Sequence, residues 1–118
     1  MAFEVPKASY RGKIKEVTLG KGDKAVTVGG ESSYPFHLFE GDMPRLPRIA
    51  MEVYDMPPED WAEAALAPFE GVTDDPVAWA KKCIDEYGAE MICLQLLSTD
   101  PNGLDRGPDE AAEVVDEL

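Results

Sequence analysis

Apolar and polar positions divide the chain into short, well-punctuated segments. Lys13–Leu19 and Lys24–Val28 are rich in Val, Ile and Thr and flank Gly20-Lys21-Gly22-Asp23, which predicts a β-hairpin with a four-residue loop. Arg48–Tyr54 alternates, with Ile49, Met51 and Val53 facing one way and Ala50, Glu52 and Tyr54 the other, as a strand does. Asp55-Met56-Pro57-Pro58 ends it, because proline cannot donate to a ladder. Glu59–Leu66 reads as a short helix. Val77, Ala80, Ile84 and Tyr87 follow at spacings of 3, 4 and 3 and give a second helix one apolar stripe, with Cys83 beside it. Asp74 or Asp75 can cap this helix, Pro76 suits its first turn and Gly88 its stop. Glu90–Leu97 is apolar on both sides: Met91, Cys93 and Leu97 on one, with Gln95 between them, and Ile92, Leu94 and Leu96 on the other. Such a strand belongs in a parallel sheet covered by helices. Ser98–Gly107 is a polar turn region, and Pro108 opens a last helix with Ala111, Val114, Val115 and Leu118 as its apolar side.

The order is hairpin, strand, helix, helix, strand, helix. Arg48 and Glu90 open the two later strands 42 positions apart, which suits a βαβ crossover. Two parallel strands leave both sheet edges open. The expected fold class is therefore α/β: an N-terminal hairpin followed by the first βα units of a partial barrel. Residues 1–12 read as an N-terminal extension, 13–30 as the hairpin and 31–118 as the first βα units of a truncated barrel. A free-standing small domain is the alternative.

Composition narrows the function classes. At 118 residues the chain is too short for a complete eight-fold barrel of about 250 residues. Its net charge of −13 argues against nucleic acid and anionic membrane as partners, since both call for clustered Lys and Arg. The charge is uneven. Residues 1–50 carry eight basic and six acidic groups, and 51–118 carry three and eighteen. Cys83, Cys93 and His37 give no zinc or iron–sulfur spacing, so no metal ligand set is expected. Both cysteines lie in apolar stretches and read as buried small hydrophobes. Two free thiols fit a reducing cytoplasm, and the N-terminus has no signal-peptide core. No apolar run exceeds four residues, too few for a membrane-spanning helix. Gly20-x-Gly22 joins two strands and Ala25 replaces the third glycine, so it is no dinucleotide fingerprint.

A longer ordered set carries a resemblance. It comprises Gly29-Gly30-Glu31, Pro35-Phe36-His37, Phe39-Glu40-Gly41, Pro47-Arg48-Ile49-Ala50-Met51-Glu52-Val53, Asp55 and Asp60-Trp61. It continues with Asp75-Pro76, Trp79-Ala80-Lys81-Lys82-Cys83, Glu86-Tyr87-Gly88-Ala89 and Asp100-Pro101-Asn102-Gly103. From about Lys13 to Leu118 the chain resembles the N-terminal part of the small subunit of the corrinoid iron–sulfur protein, also called the delta subunit of acetyl-CoA decarbonylase/synthase. The resemblance implies a TIM barrel, most of it missing here. It implies a large-subunit partner that carries the iron–sulfur cluster and shares a corrinoid (cobalamin) with the barrel mouth. It further implies methyl transfer from a methylated tetrahydropterin or tetrahydrofolate, through a transient methyltransferase, to acetyl-CoA synthase in the reductive acetyl-CoA pathway. On this view the chain has no catalytic residue of its own.

In such a barrel, ligands meet the C-terminal ends of the strands. Glu52, Tyr54 and Asp55 end the first parallel strand; Gln95, Ser98, Thr99 and Asp100 end the second. Gln95, Ser98 and Thr99, with Glu52 and Asp55, have the donors and acceptors to bind corrinoid amides. Structurally, Glu52 and Gln95 can be hydrogen-bonded interior residues and Ser98–Asp100 a capped turn. An acid–base role shared by Glu52 and Asp55 needs the strand to end between them, because positions three apart on a strand face opposite sides. Gly29-Gly30-Glu31 suits a tight turn or the close approach of another backbone. His37 can be a cobalt ligand or general base, or a packed side chain; Trp61 and Trp79 read as packing anchors. Two other function classes fit the pattern: a pterin-dependent methyltransferase barrel, and a small acidic interaction domain without cofactor.

Overall fold

A computed structural model describes residues 2–4, 9, 11–34 and 41–118, so His37 lies outside the described residues. The chain forms two compact units, Met1–Arg48 and Ile49–Leu118.

In the first unit, β1 (Val17–Leu19) pairs antiparallel with β2 (Val26–Val28), Val17 opposite Val28 and Leu19 opposite Val26. The regular strands are shorter than the apolar pattern suggests, and the loop runs from Gly20 through Ala25. Lys24 and Ala25 are drawn out of the strand by a 3-10 turn, Gly22–Lys24, closed by the Ala25 N–H on Gly22 O at 3.2 Å. Pairing resumes below the strands, where the Ile14 N–H donates to Glu31 O at 2.7 Å and the Gly30 N–H to Ile14 O at 2.8 Å. Between them the backbones nearly touch. A Cβ on Gly29, at φ +92°, would lie 2.1 Å from Lys15 O. Arg45 ties this base together: Nη1 meets Glu16 Oε1 at 2.7 Å and donates to Gly29 O at 3.2 Å. The hydrogen bond and charge of Arg45, with Lys13 adding charge, hold the Glu16 carboxyl below its ordinary range.

In the second unit, β3 (Ala50–Tyr54) and β4 (Met91–Gln95) run parallel, from Ala50 opposite Met91 to Tyr54 opposite Gln95. Between them come α1 (Glu63–Leu66), a 3-10 turn (Ala67–Phe69) and α2 (Pro76–Asp85); α3 (Pro108–Glu117) follows β4. The start of α2 is the one its sequence predicts. Asp75 Oδ1 accepts the N–H groups of Val77 and Ala78, both at 3.0 Å, and Pro76 occupies the first turn. Gly88, at φ +67°, ends it, with its N–H on Ile84 O.

Among the described residues the core is Val53, Trp79, Ala80 and Cys83, packed against by Met51, Ile92 and Leu94 from the sheet and by Tyr54, Trp61 and Phe69. The buried side of α2 is therefore turned from the expected stripe. Trp79 and Cys83 face inward, while Ile84 and Tyr87 are nearly half exposed. A two-stranded sheet is narrow, and the side of α2 buried in the core with Val53 is the one that carries Trp79, the largest fully buried side chain. The same narrowness corrects two other expectations. Cys93 is exposed, so β4 is not covered on both faces, because the packed residues gather on the Val53 and Leu94 side. On α3, Ala111 and Val114 are half-buried but Val115 and Leu118 are exposed. The short helix starts only at Glu63, because Ala62 is extended at ψ 145°. Among the described residues no helix is long and apolar enough to cross a membrane.

The two thiols should behave differently. Burial pushes the Cys83 thiol up, whereas Cys93 meets solvent. In the native chain, Ellman's reagent is expected to modify Cys93 at least about 100-fold faster than Cys83, which waits for an opening of the core. A folded thiol above its unfolded value keeps its contribution to stability below about pH 8.5 and loses it as pH rises from there toward the folded value. Thermal midpoints should therefore fall at alkaline pH, and less so in Cys83→Ala.

Candidate functional site at the strand ends

Parallel pairing brings the C-terminal ends of β3 and β4 to the same place. The Asp55 N–H donates to Gln95 O at 3.2 Å and carries the ladder one step past β3. Two side-chain pairs then join residues that the sequence holds far apart. Gln95 Nε2 donates to Glu52 Oε1. The Asp55 carboxylate receives both donors of Ser98: the N–H on Oδ1 at 3.1 Å and the hydroxyl on Oδ2. Asp55 and Ser98 are both buried, and Glu52 and Gln95 are half-buried. Thr99 Oγ1 donates to Leu96 O at 2.7 Å and so closes its own 3-10 turn, Leu97–Thr99.

The loop beyond is tightly made. The Arg106 N–H returns to Ser98 O at 2.9 Å, and Asp100 O accepts from Gly103 and Asp105 at 2.9 and 3.0 Å. Asp100 Oδ1 accepts the Asn102 N–H at 2.8 Å. This loop and the segment after β3 border a groove of about 380 Å³. Met56, Pro57, Leu97 and Leu104 form its apolar walls, Glu59, Asp60 and Asp100 its acidic rim, and Gly103 lies between. Two other hollows, of about 420 and 560 Å³, flank the hairpin base in the first unit and meet no converging strand ends.

Of the residues singled out from sequence, the structure thus pairs Glu52 with Gln95 and Asp55 with Ser98, and keeps Thr99 in a local turn. None of these five lines the groove. Glu52 and Asp55 each have a partner of their own, so they do not form one acid–base pair. Asp100 was the strand-end residue that does reach the groove. Met56, Pro57, Glu59, Asp60, Leu97 and Leu104 carry no site role in the sequence reading. Their signal in the sequence is the turn chemistry around them, Pro57-Pro58 and Pro101-Asn102-Gly103, which marks loops without showing that the two meet. Among the described residues, no three His, Cys, Asp or Glu side chains are grouped to hold a metal ion.

Residues 16–118 match the family model for the CO dehydrogenase/acetyl-CoA synthase delta subunit. The chain is 42% identical to the acetyl-CoA decarbonylase/synthase complex subunit delta of Archaeoglobus fulgidus, over 98% of the chain and 27% of that relative. It is 35% identical to the subunits of the same name from Methanocaldococcus jannaschii and Methanothermobacter thermautotrophicus, in each case over 98% of the chain and 30% of the relative. The chain spans less than a third of the length of these curated relatives.

Proposed function

Because the chain belongs to the CO dehydrogenase/acetyl-CoA synthase delta subunit family, we propose that it is the opening part of a TIM-barrel subunit that helps position a corrinoid for methyl transfer. The observation that carries this reading is the groove where the parallel β3 and β4 end together. Strand C-termini are where barrels hold their ligands. A barrel would place further strands on the two open edges of this sheet, and the greater length of the relatives leaves room for them.

The residues present fit the edge of a corrinoid. Its ring carries methyl groups and primary amides around the rim. Met56, Pro57, Leu97 and Leu104 offer apolar walls to the methyls, and the carboxylates of Glu59, Asp60 and Asp100 are acceptors for amide N–H groups. The Glu52–Gln95 pair at the strand ends retains an amide oxygen and a second carboxylate oxygen. A groove of about 380 Å³ is at the small end of ligand pockets, roughly 300–1,000 Å³, and suits one edge of the macrocycle rather than all of it. When bound, the corrinoid supplies a cobalt that takes up and releases a methyl group. The chain's own residues shield and orient that group and exclude water. The remaining contacts to the corrinoid, and the iron–sulfur cluster, then belong to a large subunit. In this scheme the methyl donor is a methylated tetrahydropterin or tetrahydrofolate, delivered by a methyltransferase, and the acceptor is acetyl-CoA synthase.

Co-expression of a full-length protein bearing this segment with its large subunit tests the reading. The purified pair should show corrinoid absorbance. Leu97→Asp, which puts a charge on an apolar wall, should cut corrinoid retention by about tenfold or more, in line with burying an unpaired charge. Full retention in a double variant, Leu97→Asp with Leu104→Asp, would contradict it.

A further inference from the structure

We infer that Asp55 is a positioning residue: it fixes the second wall of the strand-end groove to the end of β3. The first wall begins at Met56, next to Asp55 in the chain. The second wall, from Leu97 to Leu104, contains Ser98, and both donors of Ser98 end on the Asp55 carboxylate. The Asp55 N–H is meanwhile held by Gln95 O. One buried residue therefore ties the root of both walls to the last rung of the ladder. Asp55 is 8% exposed and Ser98 1%, so water does not compete for these bonds. Ser98 O also receives the Arg106 N–H, so fixing Ser98 fixes both ends of the loop. Opening the clasp frees the loop as a piece, and with it Leu97, Asp100 and Leu104, the groove's contacts on that side. Leu97 and Asp100 are close neighbours of the clasp, yet neither touches Asp55 in any of these bonds. Asp55 thus acts on a ligand through the loop, with both of its oxygens engaged by Ser98.

Its bearing on ligand binding rests on the corrinoid reading above; the clasp itself does not. Amide hydrogen exchange on the full chain tests the clasp, with α2 as the internal control. In Asp55→Ala, Ser98, Gly103 and Arg106 should exchange about tenfold faster or more while Trp79–Cys83 keep wild-type rates, as local rather than global opening requires. Asp55→Asn should stay close to wild type. Its carbonyl accepts the Ser98 N–H and its NH₂ donates to Ser98 Oγ once the hydroxyl turns, a rescue that mere loss of charge would not allow. Should Asp55→Ala fail to fold, Ser98→Ala removes the hydroxyl bond alone and should speed the same loop amides, less strongly, with α2 unchanged. Unchanged loop exchange in Asp55→Ala, or in Ser98→Ala where that variant stands in, overturns the proposal. So does a loosened loop that leaves corrinoid retention by the co-purified pair untouched. A wild-type pair that holds no corrinoid sinks the corrinoid reading instead, and the clasp is then decided by the exchange rates alone.

Discussion

Trp79→Ala is expected to abolish the cooperative unfolding of the unit from Ile49 to Leu118. Trp79 is fully buried, and its ring centre lies 6.0 Å from that of Tyr54, 5.7 Å from Trp61 and 5.5 Å from Phe69. Removing the ring takes the middle out of the aromatic cluster and uncovers Val53 and Cys83, which are otherwise wholly shielded. Trp→Ala at such a site costs about 3–5 kcal/mol. Small domains are stable by only about 5 kcal/mol at the low end, so the loss is comparable to the whole. Trp79→Phe should be far milder. The Trp79 Nε1–H is buried with no partner among the described residues, so the smaller ring removes an unsatisfied donor along with some volume. Thermal melts followed by circular dichroism separate the two. A Trp79→Ala chain that melts at the wild-type midpoint would show that this core is misdescribed.

Gly29→Ala should dismantle the hairpin base. At φ +92° any side chain is strained, by about 1–2 kcal/mol in the left-handed region. Here strain is the lesser part. The new Cβ would fall 2.1 Å from Lys15 O and 2.9 Å from Lys15 C, and these are backbone atoms that cannot swing aside. Lys15 has to move, which breaks the Ile14 bonds to Gly30 and Glu31 and displaces the carbonyl that Arg45 holds. Gly22→Ala, in the loop of the same hairpin, is the control, at φ +62° with open space around its Cβ, and should show the strain alone. Amide exchange of Ile14 and Gly30 reads the result. Fast exchange in Gly29→Ala with near-native rates in Gly22→Ala is expected; native protection in both would mean the two backbones do not meet there.

What could be read from the sequence was local chemistry. Asp75 before Pro76, and Gly88 after Tyr87, bracket α2 nearly as its capping rules say. Gly29-Gly30 offered a tight turn or a close approach, of which Gly29 makes the approach, and the alternation of Arg48–Tyr54 and the apolar Glu90–Leu97 marked two strands that do pair in parallel. The resemblance carried by scattered short motifs holds as family membership, since the match runs through residues 16–118. Side-chain partners were less legible because they depend on register. Glu52 finds Gln95, and Asp55 finds Ser98, each 43 positions away, only because Tyr54 sits opposite Gln95. The turn of α2 toward Trp79 and the exposure of Cys93 follow from how much sheet lies next to the helix, and periodicity along one segment carries no such information. The groove residues come from two loops whose meeting is a tertiary fact.

On the function proposed above, the rim made by the ends of β3 and β4 covers a corrinoid presented by a partner. Hydrogen exchange measured on a full-length protein bearing this segment, with and without its corrinoid-loaded large subunit, decides whether it does. Protection gained at 56–60 and 97–104, over and above that given by the corrinoid-free large subunit, is the predicted result. Protection confined to the β1–β2 hairpin or to α3, with the strand-end loops exchanging as before, would contradict it.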